Sequence, residues 1–392
     1  MTDQHHESTP TGKIATQGQL DILTVYGRRE RRQFLDLPRS LYAQDSAWIA
    51  PLQFERRQHL SQRNPYFRHA LFQAWIACRG GHPVGRISAQ VDRLHLERYN
   101  EHAGFFGMLE AQDDPEVFQA LFATAEKWLH DQGMQSVRGP FNLSINEECG
   151  LLVEGFDTPP AIMMGHARPY YPQRIEEQGY TGVQDLLAYR IQADFAAPRY
   201  LDTMVSRFGS RIRLRSLRRR NFADDLAVIK NIYEDAWSNN WGFIPFTTQE
   251  FVELGENLKR LVPLDFVRIA EVDGEPAAMM VVFPNLNEAI RDLNGRLLPL
   301  GWLKLLWRLK VTGVRTGRVP LMGVRQRFQG SRLGATLALM MITSIQSSAL
   351  KRGMKEVEMS WILESNKGVR AIIEAVGGEP YKRYRIYQKN IA

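Results

Sequence analysis

Cysteine is nearly missing from this 392-residue chain: Cys78 and Cys149 are the only two. A disulfide framework is excluded, and the pair does not form a metal-ligand spacing. No metal is expected. So little cysteine fits a reducing compartment, so a cytoplasmic protein is expected. No apolar run reads as long enough to cross a bilayer, which takes roughly 20 residues. The first 20 residues are polar and lack the apolar centre of a signal peptide. They read as a disordered tail, with His5 and His6 as tail composition rather than ligands. Zinc spacings and stacking-aromatic motifs are missing too, so no nucleic-acid partner is expected.

What is present is an ordinary globular composition, with 44% hydrophobic residues, and a length that admits two domains. The net charge of +7 suits an anionic partner: a phosphate-rich ligand or an acidic membrane face. The densest basic run, Arg211–Arg220, alternates arginine with Ile212 and Leu214, the pattern of a half-buried strand.

The chain reads as two halves with similar grammar, 21–195 and 196–392, divided where AAPRY interrupts the pattern. In the first half, LFQAWIACRG and PVGRISAQVD flank a Gly-Gly-His-Pro turn, a hairpin. HAGFFGMLEAQ is a strand. DDPEVFQALFATAEKWLHDQG is a helix, with acids at its start and glycine at its stop. QSVRGPFN and QDLLAYRIQ are strands around a short helix at RPYYPQRIEEQGY. The second half repeats the order, with a hairpin turning at Asp273-Gly274, a long helix in SRLGATLALMMITSIQSSALKRG, and KRYRIYQK as last strand. The expectation is an α/β fold, each half a mixed sheet, mostly antiparallel, flanked by helices.

VRQRFQGSRLGATLALMMI, residues 324–342, runs from a strand through a glycine-bearing loop into a helix. Free N–H groups and the positive end of the helix dipole meet there, which suits a phosphate. Two glycines alone better suit a tight turn and close helix packing. The frame of Val324, Gln326, Phe328, Gln329, Gly330, Leu333 and Gly334 resembles the coenzyme loop of the GNAT acyltransferase superfamily. WILESNKGVRAIIEAVGG resembles its next signature, with Asn366 at the strand end. The resemblance implies two tandem GNAT-like domains and an acyl-coenzyme A donor. Val324, Gln329, Gly330, Ser331, Arg332, Leu333, Gly334, Ala335 and Asn366 would hold it.

Three departures from the family stand out. Gln326 replaces a proline, which implies a less rigid strand end. Arg332 replaces a glycine and suits pairing with the pyrophosphate. Ile373 stands where the family places a tyrosine acid, leaving Tyr381 and Tyr384 as substitutes. The first half has AQDDPEV at the matching place, whose acids would repel a phosphate. It reads as a degenerate copy that contributes to the acceptor site.

The segment 138–171, RGPFNLSINEECGLLVEGFDTPPAIMMGHARPYY, is too rich in special residues to be plain connection. Glu147, Glu148 and His166 are candidates for the base that an amine acceptor needs; they equally suit backbone donors in a buried loop. Cys149 reads as a small buried thiol rather than a nucleophile. In the insertion 288–312, RLLPLGWLKLLWRLK as a helix places Leu300, Leu303, Leu306 and Trp307 on one face, with Trp302, Leu305 and Leu309 extending another. Lys304 and Arg308 form a narrow basic stripe. That suits an anionic membrane surface or a helix over the core.

GPFNLSINEECGLLVEGF together with this insertion resembles the bacterial ceramide synthase group. The resemblance implies transfer of a fatty acyl chain to the amine of a sphingoid long-chain base. Direct transfer without an acyl-enzyme is expected, and the amphipathic insertion suits a place peripheral at the inner membrane face. The alternatives are a conventional N-acetyltransferase and a non-catalytic acyl-CoA-binding protein. RIEEQGY matches only the tail of a nucleotide-hydrolase box and is set aside.

Overall fold

The computed structural model describes residues 18–392, so most of the N-terminal tail, His5 and His6 included, lies outside the described residues. Leu20, its last residue, already opens a strand. The strands of the first half are β1 (Leu20–Thr24), β2 (Ala70–Arg79), β3 (His82–Asp92), β4 (Ala103–Ala111), β5 (Ser136–Gly139), β6 (Phe141–Asn142), β7 (Glu148–Cys149), β8 (Leu151–Glu154) and β9 (Thr181–Gln192). Its helices are α1 (Arg28–Leu41), α2 (Gln53–His59), α3 (Arg93–Tyr99), α4 (Pro115–Asp131) and α5 (Tyr171–Glu176). The second half begins with α6 (Tyr200–Phe208), β10 (Ile212–Ser216), α7 (Phe222–Trp237), α8 (Thr248–Leu261), β11 (Val267–Val272) and β12 (Glu275–Pro284). It continues with α9 (Leu286–Ile290), α10 (Gly301–Trp307), β13 (Thr316–Val324), α11 (Arg332–Lys351), β14 (Glu356–Leu363), α12 (Lys367–Ala375) and β15 (Glu379–Asn390).

Local chemistry explains these elements. Asp114 caps α4 by accepting from the Glu116 N–H, Pro115 fits its first turn, and Val117, Phe118, Leu121, Phe122, Ala125 and Leu129 form its buried stripe. The β11–β12 hairpin turns on Asp273 and Gly274, both at positive φ, as a two-residue turn of matching twist requires.

Thirteen strands form one sheet in the order β1-β2-β3-β4-β5-β15-β9-β14-β13-β12-β11-β10, with β8 added on β15. Neighbours are antiparallel except β4–β5 and β13–β14. The halves exchange strands. β15, last in the chain, lies between β5 and β9, and β9 pairs with β14. Hydrophobic cores lie against both halves of this sheet.

Helix α11 amends one expectation. It has the length and apolarity of a membrane span, with a mean hydropathy of 1.4 over its best window. The sequence hides this behind scattered Ser and Thr. Yet Leu337, Leu339, Met341, Ile342 and Ile345 are buried against the sheet, so it serves as a core helix here.

Candidate active site

The parallel pair β13–β14 sets the geometry. Its pairing runs only from Thr316–Glu356 to Val319–Met359, although both strands continue, so their facing edges part into a V. The loop from Arg325 to Ser331 follows, and α11 begins at Arg332. Gly330 takes a positive φ. A Cβ on Gly334 would stand 2.1 Å from the Phe328 carbonyl oxygen, so only glycine fits that close approach. Ser331 Oγ accepts from the Gly334 N–H at 3.0 Å and donates to Phe328 O at 2.6 Å. The first-turn N–H groups of Arg332 and Leu333 have no helical acceptor. Ser331, Arg332 and Gln329 are exposed around them.

Gln326 does not loosen the strand end. Its backbone N–H donates to Asp235 at 2.9 Å, and its side-chain amide donates to Asp235 O at 2.9 Å and Ser238 Oγ at 2.6 Å. The loop is pinned to the end of α7 by hydrogen bonds where proline would have used a ring. Gln329 reaches back to Val324 O at 2.8 Å. Asn366 caps α12 by accepting from the Val369 N–H at 3.1 Å. Ile373 is fully buried in the core.

A cleft with a volume of about 140 Å³ opens at the V. Pro320 and Leu321 of β13 and Trp361 and Leu363 of β14 form one wall. Tyr233, Trp237, Trp241, Phe243 and Phe246 form another. Asn146 and Cys149, from the first half, close it. The aromatic wall comes from WSNNWGFIPF, residues 237–246, which the sequence reading passed over. Its cue was the density of aromatics just beyond a helix end. Asn146 fastens the two halves here: its carbonyl accepts from Tyr233 Oη at 2.8 Å and its amide donates to Ile244 O at 3.0 Å. Burial pushes the Cys149 thiol up to about 12, so it stays neutral.

The candidate acids and bases sit behind this wall and do not line the cleft. Glu147 bonds to His59. Glu148 bonds to Arg56 and accepts from Asn142 Nδ2 at 2.8 Å. Burial alone would raise its carboxyl; Arg56 overrides burial and holds it at about 2. His166 Nε2 meets Asp45 at 3.0 Å, and burial lowers its pKa, which keeps the ring neutral. Tyr384 is fully buried and donates to Gly165 O at 3.3 Å. Tyr381 bonds to Glu358.

The first half has closed its own V. The Met108 N–H lies at the bulge of β4, the counterpart of the β13 bulge. It donates to Asn142 Oδ1 at 2.7 Å. The donor that an incoming carbonyl would need is already used.

The insertion is a short helix, α10, and then a wider turn through Thr312. Leu305 and Leu309 pack on the core rather than extending the outer face with Trp302. Leu298, Leu300, Trp302, Leu303, Leu306, Trp307 and Val311 are exposed. The basic stripe is folded back. Arg308 and Lys304 both hold Asp292, and their hydrogen bonds keep its carboxyl far below the usual range.

The fold matches a solved tandem GNAT protein from the clavulanic acid biosynthesis pathway, with a TM-score of 0.55 at 13% identity over 95% of this chain and 99% of that one. No family model matches the chain. The architecture is that of the tandem GNAT fold. The chain is 48% identical over 382 residues to Protein YghO of Escherichia coli strain K12, covering 97% of each. It is 46% identical over 378 residues to the bacterial ceramide synthase of Caulobacter vibrioides strain NA1000 / CB15N, covering 96% of this chain and 98% of that one. The chain belongs to the family that these two proteins share.

Proposed function

We propose that the protein moves a fatty acyl chain from acyl-coenzyme A to the amine of a sphingoid long-chain base, forming an amide. The observation that carries this is the cleft, walled by aromatic and aliphatic side chains, at the V beside the glycine loop. An apolar lining of this kind suits a hydrocarbon chain. The name of the Caulobacter relative supports the choice of base. The pyrophosphate rests on the N–H groups of Gly330, Arg332 and Leu333, with the Arg332 guanidinium as its counter-charge.

The neutral amine attacks the thioester carbon. A C–N bond forms, the carbonyl pair moves to oxygen, and the C–S bond then breaks as the pair returns. The proton lost by nitrogen ends on the coenzyme thiol. Glu147 is the acid we assign to relay it, through water, because Asn146 beside it lines the cleft. Glu148, ionised and locked to Arg56, positions that loop.

Thiol release is the test, with palmitoyl-CoA and acetyl-CoA as donors, each with and without a sphingoid base, and mass spectrometry of the product. Base-dependent release from palmitoyl-CoA with an N-acyl product is expected. Glu147→Gln lowers that rate roughly tenfold or more while acyl-CoA binding holds. Release from acetyl-CoA alone overturns the lipid reading.

The exposed face of the insertion is proposed to rest on an anionic membrane, where both lipid substrates partition. Trp307, 61% exposed, and Leu298, 80% exposed, would enter the interface. Arg296, Lys310 and Arg315 are exposed nearby in the chain and would meet acidic headgroups. Trp302→Ser with Trp307→Ser should abolish co-sedimentation with phosphatidylglycerol vesicles and leave the melting temperature unchanged. Equal binding by the double variant overturns this placement.

A further inference from the structure

Two hydrogen-bond donors on the cleft wall lack acceptors among the described residues. The indole Nε1–H of Trp361 is buried and unpartnered. Arg318, fully buried, stacks its guanidinium 4.6 Å from the Trp361 ring centroid. Its Nε–H donates to Ser360 Oγ at 2.8 Å, Nη1 to Ile162 O at 2.9 Å and Met163 O at 3.4 Å, and Nη2 to Ser360 O at 3.3 Å. A guanidinium has five N–H groups, so one on Nη2 is left over. Both residues line the cleft. A buried donor with no acceptor is costly, and folded proteins seldom keep one without a use.

Their place in the sheet indicates which ligand atom they meet. Pairing of β13 with β14 ends at Val319–Met359. Arg318 precedes Val319, and Trp361 lies just beyond Met359, so the two flank the vertex of the V. From that vertex β13 runs on through Val324 toward the glycine loop, roughly 17 Å of extended strand. A pantetheine arm laid along it from the loop brings its thioester to the vertex. The backbone is poor in donors there. The β13 bulge falls at Val319–Pro320, and proline has no N–H.

We propose that the Trp361 Nε1–H and the spare Nη2–H of Arg318 form the oxyanion hole for acyl transfer. This rests on the acyl-CoA reading above. As the amine nitrogen bonds to the thioester carbon, the carbonyl pair moves to oxygen, and both donors close on that charge. When the C–S bond breaks, the pair returns and the oxygen becomes that of the amide. Glu358, 3.7 Å from Arg318 Nε, does not compete for the spare N–H, because Ser360 and Tyr381 hold its two oxygens.

Trp361→Phe removes the N–H and keeps a ring beneath the guanidinium. Its kcat should fall roughly 10- to 100-fold, with the Kd for palmitoyl-CoA changed less than about twofold. In protein labelled at its indole nitrogens, the Trp361 signal, identified by its loss in the variant, should move downfield on adding palmitoyl-CoA without any amine. A variant kcat within about twofold of wild type overturns the proposal. So does a signal that stays in place at saturating palmitoyl-CoA, or one that moves only when the amine is added, which would give the N–H to the acceptor. Wild-type turnover in the same assay separates the two ideas. If the wild type transfers no acyl group, the acyl-transfer reading fails, and the indole signal alone decides whether the donors meet a thioester.

Discussion

Replacing Gly334 with alanine should raise the Kd for acyl-coenzyme A about 100-fold or more. The new Cβ would stand 2.1 Å from the Phe328 carbonyl oxygen, a backbone atom that cannot swing aside. Either the loop or the first turn of α11 must move. The Ser331 cap goes with it, since Ser331 Oγ holds both the Gly334 N–H and the Phe328 carbonyl. The N–H groups of Gly330, Arg332 and Leu333 then lose their common aim. Two charge-assisted hydrogen bonds of about 1.5–3 kcal/mol each account for the expected loss. Calorimetric titration with palmitoyl-CoA reads it directly. A Kd within about threefold of wild type would remove the loop from the binding site. Gly330→Ala is the useful companion. Nothing lies within 4 Å of its Cβ, so it carries only the strain of a positive φ and should bind far better than the Gly334 variant.

Glu148→Gln should destabilise the fold by about 3 kcal/mol at neutral pH, because it leaves the half-buried Arg56 charge without its carboxylate. For a chain of this size that lowers the melting temperature by roughly 4 °C. The pair ties α2 to β7, and Asn142 links both to the bulge of β4. The pH dependence follows from the depressed carboxyl. Glu148 titrates at about 2 in the folded protein against a usual 4.5. Its contribution is therefore complete above the unfolded value and is lost as pH falls toward 2. The whole span is worth about 3 kcal/mol. Arg56 reports the same interaction from its other end, so the two effects are not added. Melting curves of both proteins between neutral and acid pH should show the gap narrowing below about pH 4.5. A gap that is absent at pH 7, or that widens with acid, would show that Arg56 and Glu148 do not act as a pair.

Strands and helices with strong periodicity were legible in the chain: both hairpins, α4, α7, α11 and β15. Patterns that need a partner to make sense were not. Helix α1 carries Pro38 inside it and five arginines, yet buries Phe34 and Leu37. Helix α8 announces itself with Thr247 and Glu250 as a capping box, but its stripe is diluted by charge. The coenzyme-type loop was readable because glycine, serine and helix start are local signals. The cleft was not, since its walls come from segments far apart, and no periodicity marks Trp237, Trp241 and Trp361 as neighbours. The acids of the 138–171 segment illustrate the limit well. Their types suggested proton transfer, but only the fold shows Arg56 and His59 facing them.

The exchange of β9 and β15 bears on how the protein is made. Among the described residues, the edge of β5 away from β4 is filled by β15, which follows every other described strand in the sequence. Half the chain can emerge without being able to finish its own sheet, so synthesis cannot deliver one completed domain ahead of the other. The same topology makes β15 a central structural member, whose removal would split the sheet down the middle.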